Sequence, residues 1–162
     1  MSRPSVIPLQ LENVPQELRE LHQWIVWKHH FHKARQKWIK LPMCPTTGKA
    51  ASTSDATTWA TFDAALLAYE FGGYDGLGFV FAAGSGLVGI DIDKCVNGEL
   101  SPLAQELLSA APGYVEKSPS GTGLHIITRA DLGRAYKNDN IGLELYTSGR
   151  YFTITGVPVC EF

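Results

Sequence analysis

The sequence predicts a single α+β domain with a mixed or antiparallel sheet and helices on one face. Three observations carry that expectation. Short stretches in which apolar and polar residues alternate recur along most of the chain. Only two longer segments, around residues 61–71 and 101–111, show a helical period with caps at their ends. The chain has 162 residues, 44% of them hydrophobic and 19% charged, enough for one core and too little for two comfortable ones.

In chain order, Pro15-Gln16-Glu17-Leu18-Arg19-Glu20-Leu21 opens with proline and an acid in the first turn and repeats leucine at helical spacing, so it reads as a short helix. Trp24-Ile25-Val26-Trp27 and Lys37-Trp38-Ile39-Lys40-Leu41 read as a hairpin ended by Pro42, with residues 29–36 as a long basic tip. Residues 42–58 are rich in Pro, Thr, Ser, Gly and Ala and read as a surface loop. Thr61 caps the helix that carries Phe62, Ala65, Leu66 and Tyr69, and Gly72-Gly73 stop it. Residues 77–81 and 87–93 flank a glycine-bearing loop and are expected to pair as a hairpin. Ser101-Pro102 start the second helix, with Leu103, Leu107 and Leu108, and Pro112-Gly113 close it. Residues 114–117, 123–129, 142–146 and 150–155 complete the strands.

Composition narrows the function. Cys44, Cys95 and Cys160 are odd in number, far apart and without a C-x-x-C pair. That argues against a disulfide framework and against structural zinc, and leaves buried free thiols. No run is long enough to span a bilayer, and the N-terminus lacks the apolar core of a secretory signal, so a cytoplasmic protein without a membrane partner is expected. A formal charge of -2 excludes a globally basic nucleic-acid binder. A local patch remains, because Lys28, Lys33, Arg35, Lys37 and Lys40 occur with no acid among them.

Three constellations could carry chemistry. In Leu87-Val88-Gly89-Ile90-Asp91-Ile92-Asp93, strand alternation puts Asp91 and Asp93 on one face and Val88, Ile90 and Ile92 on the other. Two carboxylates about 7 Å apart repel unless a cation lies between them. Magnesium or manganese would answer this, and capping of the Asn97-Gly98 turn is the plain alternative. In Lys117-Ser118-Pro119-Ser120-Gly121-Thr122-Gly123-Leu124-His125, Gly121 and Gly123 let the backbone approach an anion while Ser120 and Lys117 add donors; a plain glycine-rich hairpin with a solvated His125 is the alternative. In the third, Glu144 stands alone between Leu143 and Leu145, and burying it unpaired would cost several kcal/mol, so a metal, a salt bridge or exposure must settle it. Arg150 fits either as its ion-pair partner or as a triphosphate ligand.

Taken together, D-x-D at a strand end, S-x-S-G-x-G-L-H on a later strand, and an acid on a strand before S-G-R-Y-F-T-I-T-G resemble the three motifs of the archaeo-eukaryotic primase superfamily. The nearest resemblance is to the primase-polymerase domains of phages, plasmids and integrated elements. It runs from about Trp24 to Gly156, and Trp24-Ile25-Val26-Trp27, Lys40-Leu41-Pro42 and Thr58-Trp59-Ala60-Thr61-Phe62 are similar to the stretch preceding the D-x-D in such proteins. The resemblance implies one catalytic domain over 1–162 with an RRM-like core, in which 1–60 form an α/β portion with the basic hairpin and 61–162 the catalytic core. It further implies template-dependent nucleotidyl transfer, as a DNA primase or polymerase, with two magnesium or manganese ions on Asp91, Asp93 and Glu144 and no zinc. His125 and Ser120, with Gly121, Gly123 and less firmly Lys117 and Arg150, would meet the phosphates of an incoming NTP or dNTP. The partners implied are a single-stranded DNA template and a replicative helicase supplied separately or by a further region, in a bacterial, archaeal or phage-infected cell. Two departures are Glu144 where many members carry Asp and an end six residues beyond Gly156.

Other classes use the same residues. A metal-dependent nuclease would also want Asp91, Asp93 and Glu144. A rolling-circle relaxase is disfavoured, since His30 and His32 sit in the hairpin tip beside no tyrosine suited to attack. A non-catalytic single-strand-binding module would use Trp27, Phe31 and Trp38 as a stacking platform among Lys28, Lys33, Arg35 and Lys37, against the commoner explanation of core tryptophans.

Overall fold

The computed structural model describes residues 1–159. Strand β1 (Trp24–His32) and strand β2 (Lys37–Met43) form the basic hairpin. The strands run further than alternation suggested, because His32 pairs with Lys37 and a single turn at Lys33–Arg35 closes the tip. Nor does Pro42 end its strand. It lies on β2 at the edge of the sheet, where no neighbour needs its missing N–H, and its carbonyl accepts from the amide of Ala51.

Strand β3 (Gly76–Phe81) pairs with β1, and β9 (Arg150–Ile154) pairs with β3, giving the order β2-β1-β3-β9. A second sheet has the order β5-β6-β4-β8-β7, from β4 (Leu87–Ile92), β5 (Tyr114–Lys117), β6 (Leu124–Arg129), β7 (Tyr136–Asn138) and β8 (Leu143–Tyr146). All pairings between these strands are antiparallel. The α+β class holds, with two sheets instead of one.

The expected hairpin between residues 77–81 and 87–93 is therefore replaced by a crossover between sheets. Phe81 and Leu87 belong to one core, so the two strands meet across packed side chains instead of along a ladder. Gly84 and Gly86 take left-handed conformations at φ 77° and 74° that let the chain change sheets in a short loop.

The helices divide in the same way. Helix α1 (Gln16–Arg19) and helix α2 (Phe62–Phe71) pack on the first core; the Thr61 hydroxyl caps α2 through the Ala64 amide at 3.2 Å, and Gly72 ends it at φ 99°. Phe62 meets the Trp24 ring edge-on at 4.9 Å. Helix α3 (Pro102–Ala110), capped by Ser101, seats Ala104 and its leucines on Val88, Ile90 and Ile92. That core occupies one face of β4 and leaves the other for Leu87, Gly89 and Asp91.

Where the sheets face each other, Gly89 touches two aromatic rings. A methyl group there would lie 2.5 Å from Phe81 Cζ and 2.7 Å from Phe152 Cζ. Gly89→Ala should therefore cost about 1–3 kcal/mol by overpacking, read as a lower denaturant midpoint at unchanged slope. A wild-type midpoint would mean that the rings yield freely.

The N-terminal ten residues cross both sheets. Arg3 forks onto both oxygens of Asp75 at 2.8 and 2.7 Å, the Ile7 amide donates to the Pro119 carbonyl, and the Gln10 amide donates to Thr155. Cys44 and Cys95 are buried free thiols, and Cys160 lies outside the described residues. No helix among the described residues is long and apolar enough to cross a membrane.

Candidate active site

Three side chains line up across the second sheet. Asp91 on β4 stands directly opposite His125 on β6 and Glu144 on β8. Because Val88, Ile90, Leu124, Ile126 and Leu143 pack against α3, alternation turns all three polar side chains to the other face. They line a cleft of about 300 Å³, closed from the first sheet by Lys40 of β2 and residues 150–153 of β9.

Asp91 and Glu144 are partly exposed, at 24% and 21% of the side chain, whereas His125 retains 6%. The His125 ring stacks on Phe152 with centroids 4.5 Å apart and planes 19° apart. Its Nε2 is 3.8 Å from Asp91 Oδ1 and its Nδ1 is 3.1 Å from Glu116 Oε1. Burial pushes the Asp91 carboxyl above its ordinary value, and the charges of Asp93 and Glu144 add to this while His125 and Lys40 oppose it. Lys40, exposed overall, lines the cleft, and its ammonium lies 5.7 Å from the centre of the Trp27 ring. Desolvation lowers its pKa, against the attraction of Asp91 and Asp93.

The other candidates are distributed less simply. Asp93 lies one residue past β4 and is exposed, its amide bonded to the Gly142 carbonyl. Glu144 is paired with Lys137 of β7 at 3.0 Å, so the partner anticipated in Arg150 is a different cation. Arg150 instead lies over the Tyr146 ring at 5.3 Å and lines the cleft. Ser120 is exposed and bonds to the hydroxyls of Ser118 and Thr122. Gly121 takes φ 77°, and at Gly123 a Cβ would lie 2.8 Å from the Ile92 carbonyl, so that turn is pressed against the exit of β4. Lys117 alternates with Glu116 and falls on the face of Val115, away from Asp91.

Lys33, Arg35 and Lys37 are exposed around the hairpin tip and Lys28 is half-buried. Trp27 is 1% exposed and belongs to the interior, which removes it from any stacking platform; Phe31 and Trp38 are half-buried, edge-to-face at 5.4 Å. Sequence reasoning missed Lys40 and Glu116 as site residues. The signal for Glu116 was a weaker form of the one at Glu144, an acid that follows Tyr114 and Val115 on a short strand.

Among the described residues no group of three His, Cys, Asp or Glu side chains is gathered closely enough to hold a metal ion. Glu144 is engaged by Lys137 and His125 by Glu116, and Asp93 reaches toward solvent. The donor set itself, carboxylate oxygens on one face with Asp91 under electrostatic strain from its neighbours, fits a hard cation such as magnesium or manganese.

No family model matches the sequence. Over 142 residues, 83% of the chain, it is 36% identical to a DNA primase-polymerase of Nitratiruptor phage NrS-1. The chain is a homologue of a phage-type primase-polymerase. It spans 19% of that protein's length. In this primase-polymerase homologue Asp91, His125, Glu144 and Arg150 occupy β4, β6, β8 and β9 and line the cleft, while Asp93 and the Ser118–Gly123 turn lie outside those strands.

Proposed function

We propose that the chain is a nucleotidyl-transfer domain that extends a strand along a single-stranded DNA template, as a DNA primase or polymerase in the replication of a phage, plasmid or integrated element. The observation that carries this reading is the row of Asp91, His125 and Glu144 across three neighbouring strands in one cleft, in a chain homologous to a phage primase-polymerase.

Asp91, Asp93 and Glu144 would hold two divalent cations, magnesium or manganese, which when bound lower the pKa of the attacking 3′-hydroxyl and neutralise charge on the leaving pyrophosphate. The chain's own residues supply position and charge. Lys137 shields Glu144 and has to swing away for that carboxylate to take a new cation. Arg150, steadied on Tyr146, and Lys40 offer positive charge to phosphate oxygens in the cleft. His125 offers Nε2 beside Asp91. The Ser120–Gly123 turn lies at the strand exit, where a triphosphate tail could be met by backbone amides. Lys33, Arg35 and Lys37, with Lys28, give the template a basic surface whose contacts weaken with salt.

The test is incorporation of labelled nucleotide on single-stranded DNA with manganese, with and without a primer. Template-dependent products longer than the primer are expected. Shortened strands would point to a nuclease, and retention of DNA with no change in its length would point to a binding module.

A further inference from the structure

Glu116 is used by none of the steps above, yet it has no solvent-accessible surface. A carboxylate in such a place must be compensated by hydrogen bonds or it costs several kcal/mol. Its Oε2 accepts three: from the Tyr114 hydroxyl at 2.7 Å, the Thr155 amide at 3.0 Å and the Gly156 amide at 2.8 Å. Burial, with the Glu116 charge beside it, pushes the Tyr114 phenol well up, so that hydroxyl remains a donor. The other oxygen, Oε1, is turned to His125 Nδ1 at 3.1 Å.

We propose that Glu116 is a positioning residue which keeps a hydrogen on His125 Nδ1, so that Nε2 is the ring nitrogen presented to the cleft. Phe152 sets the plane of the ring and Glu116 sets its rotation within that plane. A carboxylate oxygen has no hydrogen to give, so the nitrogen that faces it must be the donor. Nε2 then faces Asp91 and the cleft with its lone pair or its proton.

Glu116→Gln separates this role from mere filling of space. The three donors at Oε2 require an oxygen, so the amide nitrogen has to occupy the Oε1 position and present hydrogens to Nδ1. Nδ1 must then accept, and the ring hydrogen moves to Nε2 with hardly an atom displaced.

The measurement is nitrogen-15 NMR of the full chain labelled at histidine, with the His125 signals identified by their loss in His125→Asn. A hydrogen on Nδ1 in wild type, transferred to Nε2 in Glu116→Gln, is the expected result. A bare Nδ1 in wild type overturns the proposal by itself, whether or not the variant folds, and so does an Nδ1 hydrogen retained in a folded variant. The kinetic consequence rests on the nucleotidyl-transfer reading: Glu116→Gln should lower kcat about 10- to 100-fold with little change in nucleotide KM. If wild type incorporates no nucleotide, that reading fails while the ring measurement still decides what Glu116 does.

Discussion

Asp91→Asn should lower nucleotide incorporation by on the order of 10³-fold or more while leaving the fold at least as stable as wild type at neutral pH. The loss follows from position: Asp91 is the middle member of the row, with His125 on one side and Glu144 on the other. The stability follows from charge. Asp91 has its carboxyl pushed above the ordinary value of 3.8, chiefly by burial, so ionising it opposes folding. In acid the carboxyl is protonated in both folded and unfolded chains, and that penalty is absent. It grows as pH rises from the ordinary value through the raised one, so the advantage of the asparagine variant should appear at neutral pH and vanish in strong acid. Thermal melting at the two pH values reads this directly. On the two-cation reading proposed above, manganese should raise the melting temperature of wild type by binding the folded chain, and raise that of the variant less. Activity within threefold of wild type would remove Asp91 from the chemistry.

Phe152→Ala should cost about 3–5 kcal/mol of stability, the range for a large aromatic removed from a packed core. Phe152 is 3% exposed and meets Phe81 edge-on at 4.8 Å while its face lies against His125. Against a total of roughly 5–15 kcal/mol for a domain, that is a large share, and urea unfolding should show it as a strongly lowered midpoint. A change below about 1 kcal/mol would mean that the cavity collapses and the two sheets do not depend on this ring.

Much of the site was legible because strand alternation is a local property. The apolar residues on either side of Asp91, His125 and Glu144 fixed which way each would face, and both helices began at the residues whose side chains cap them. Pairing between strands is not local, and there legibility ended. A short glycine loop serves a hairpin and a crossover equally well, so residues 82–86 could not reveal that β3 and β4 lie in different sheets. Strand β7 has three residues, too few to show a period, and without it the Lys137 partner of Glu144 was invisible. Lys117 looked suitable by chemical type, but the alternation that hid Glu116 inside also turned Lys117 to the opposite face of the sheet.

Strand β9 gives the site a dependence on cooperativity. It joins β3, from which it is separated by roughly seventy residues, and is an edge of its sheet, so it is the part of the ladder whose closure sacrifices most chain freedom. From β9 and the two residues after it come the ring that holds His125, the Arg150 guanidinium and the amides that hold Glu116. A fluctuation that frees this one segment therefore dismantles the histidine, its orienting carboxylate and the cationic wall together, while the strand bearing Asp91 stays paired on both sides. The lining of the cleft is therefore held or released as a unit with β9, through the docking of one edge strand.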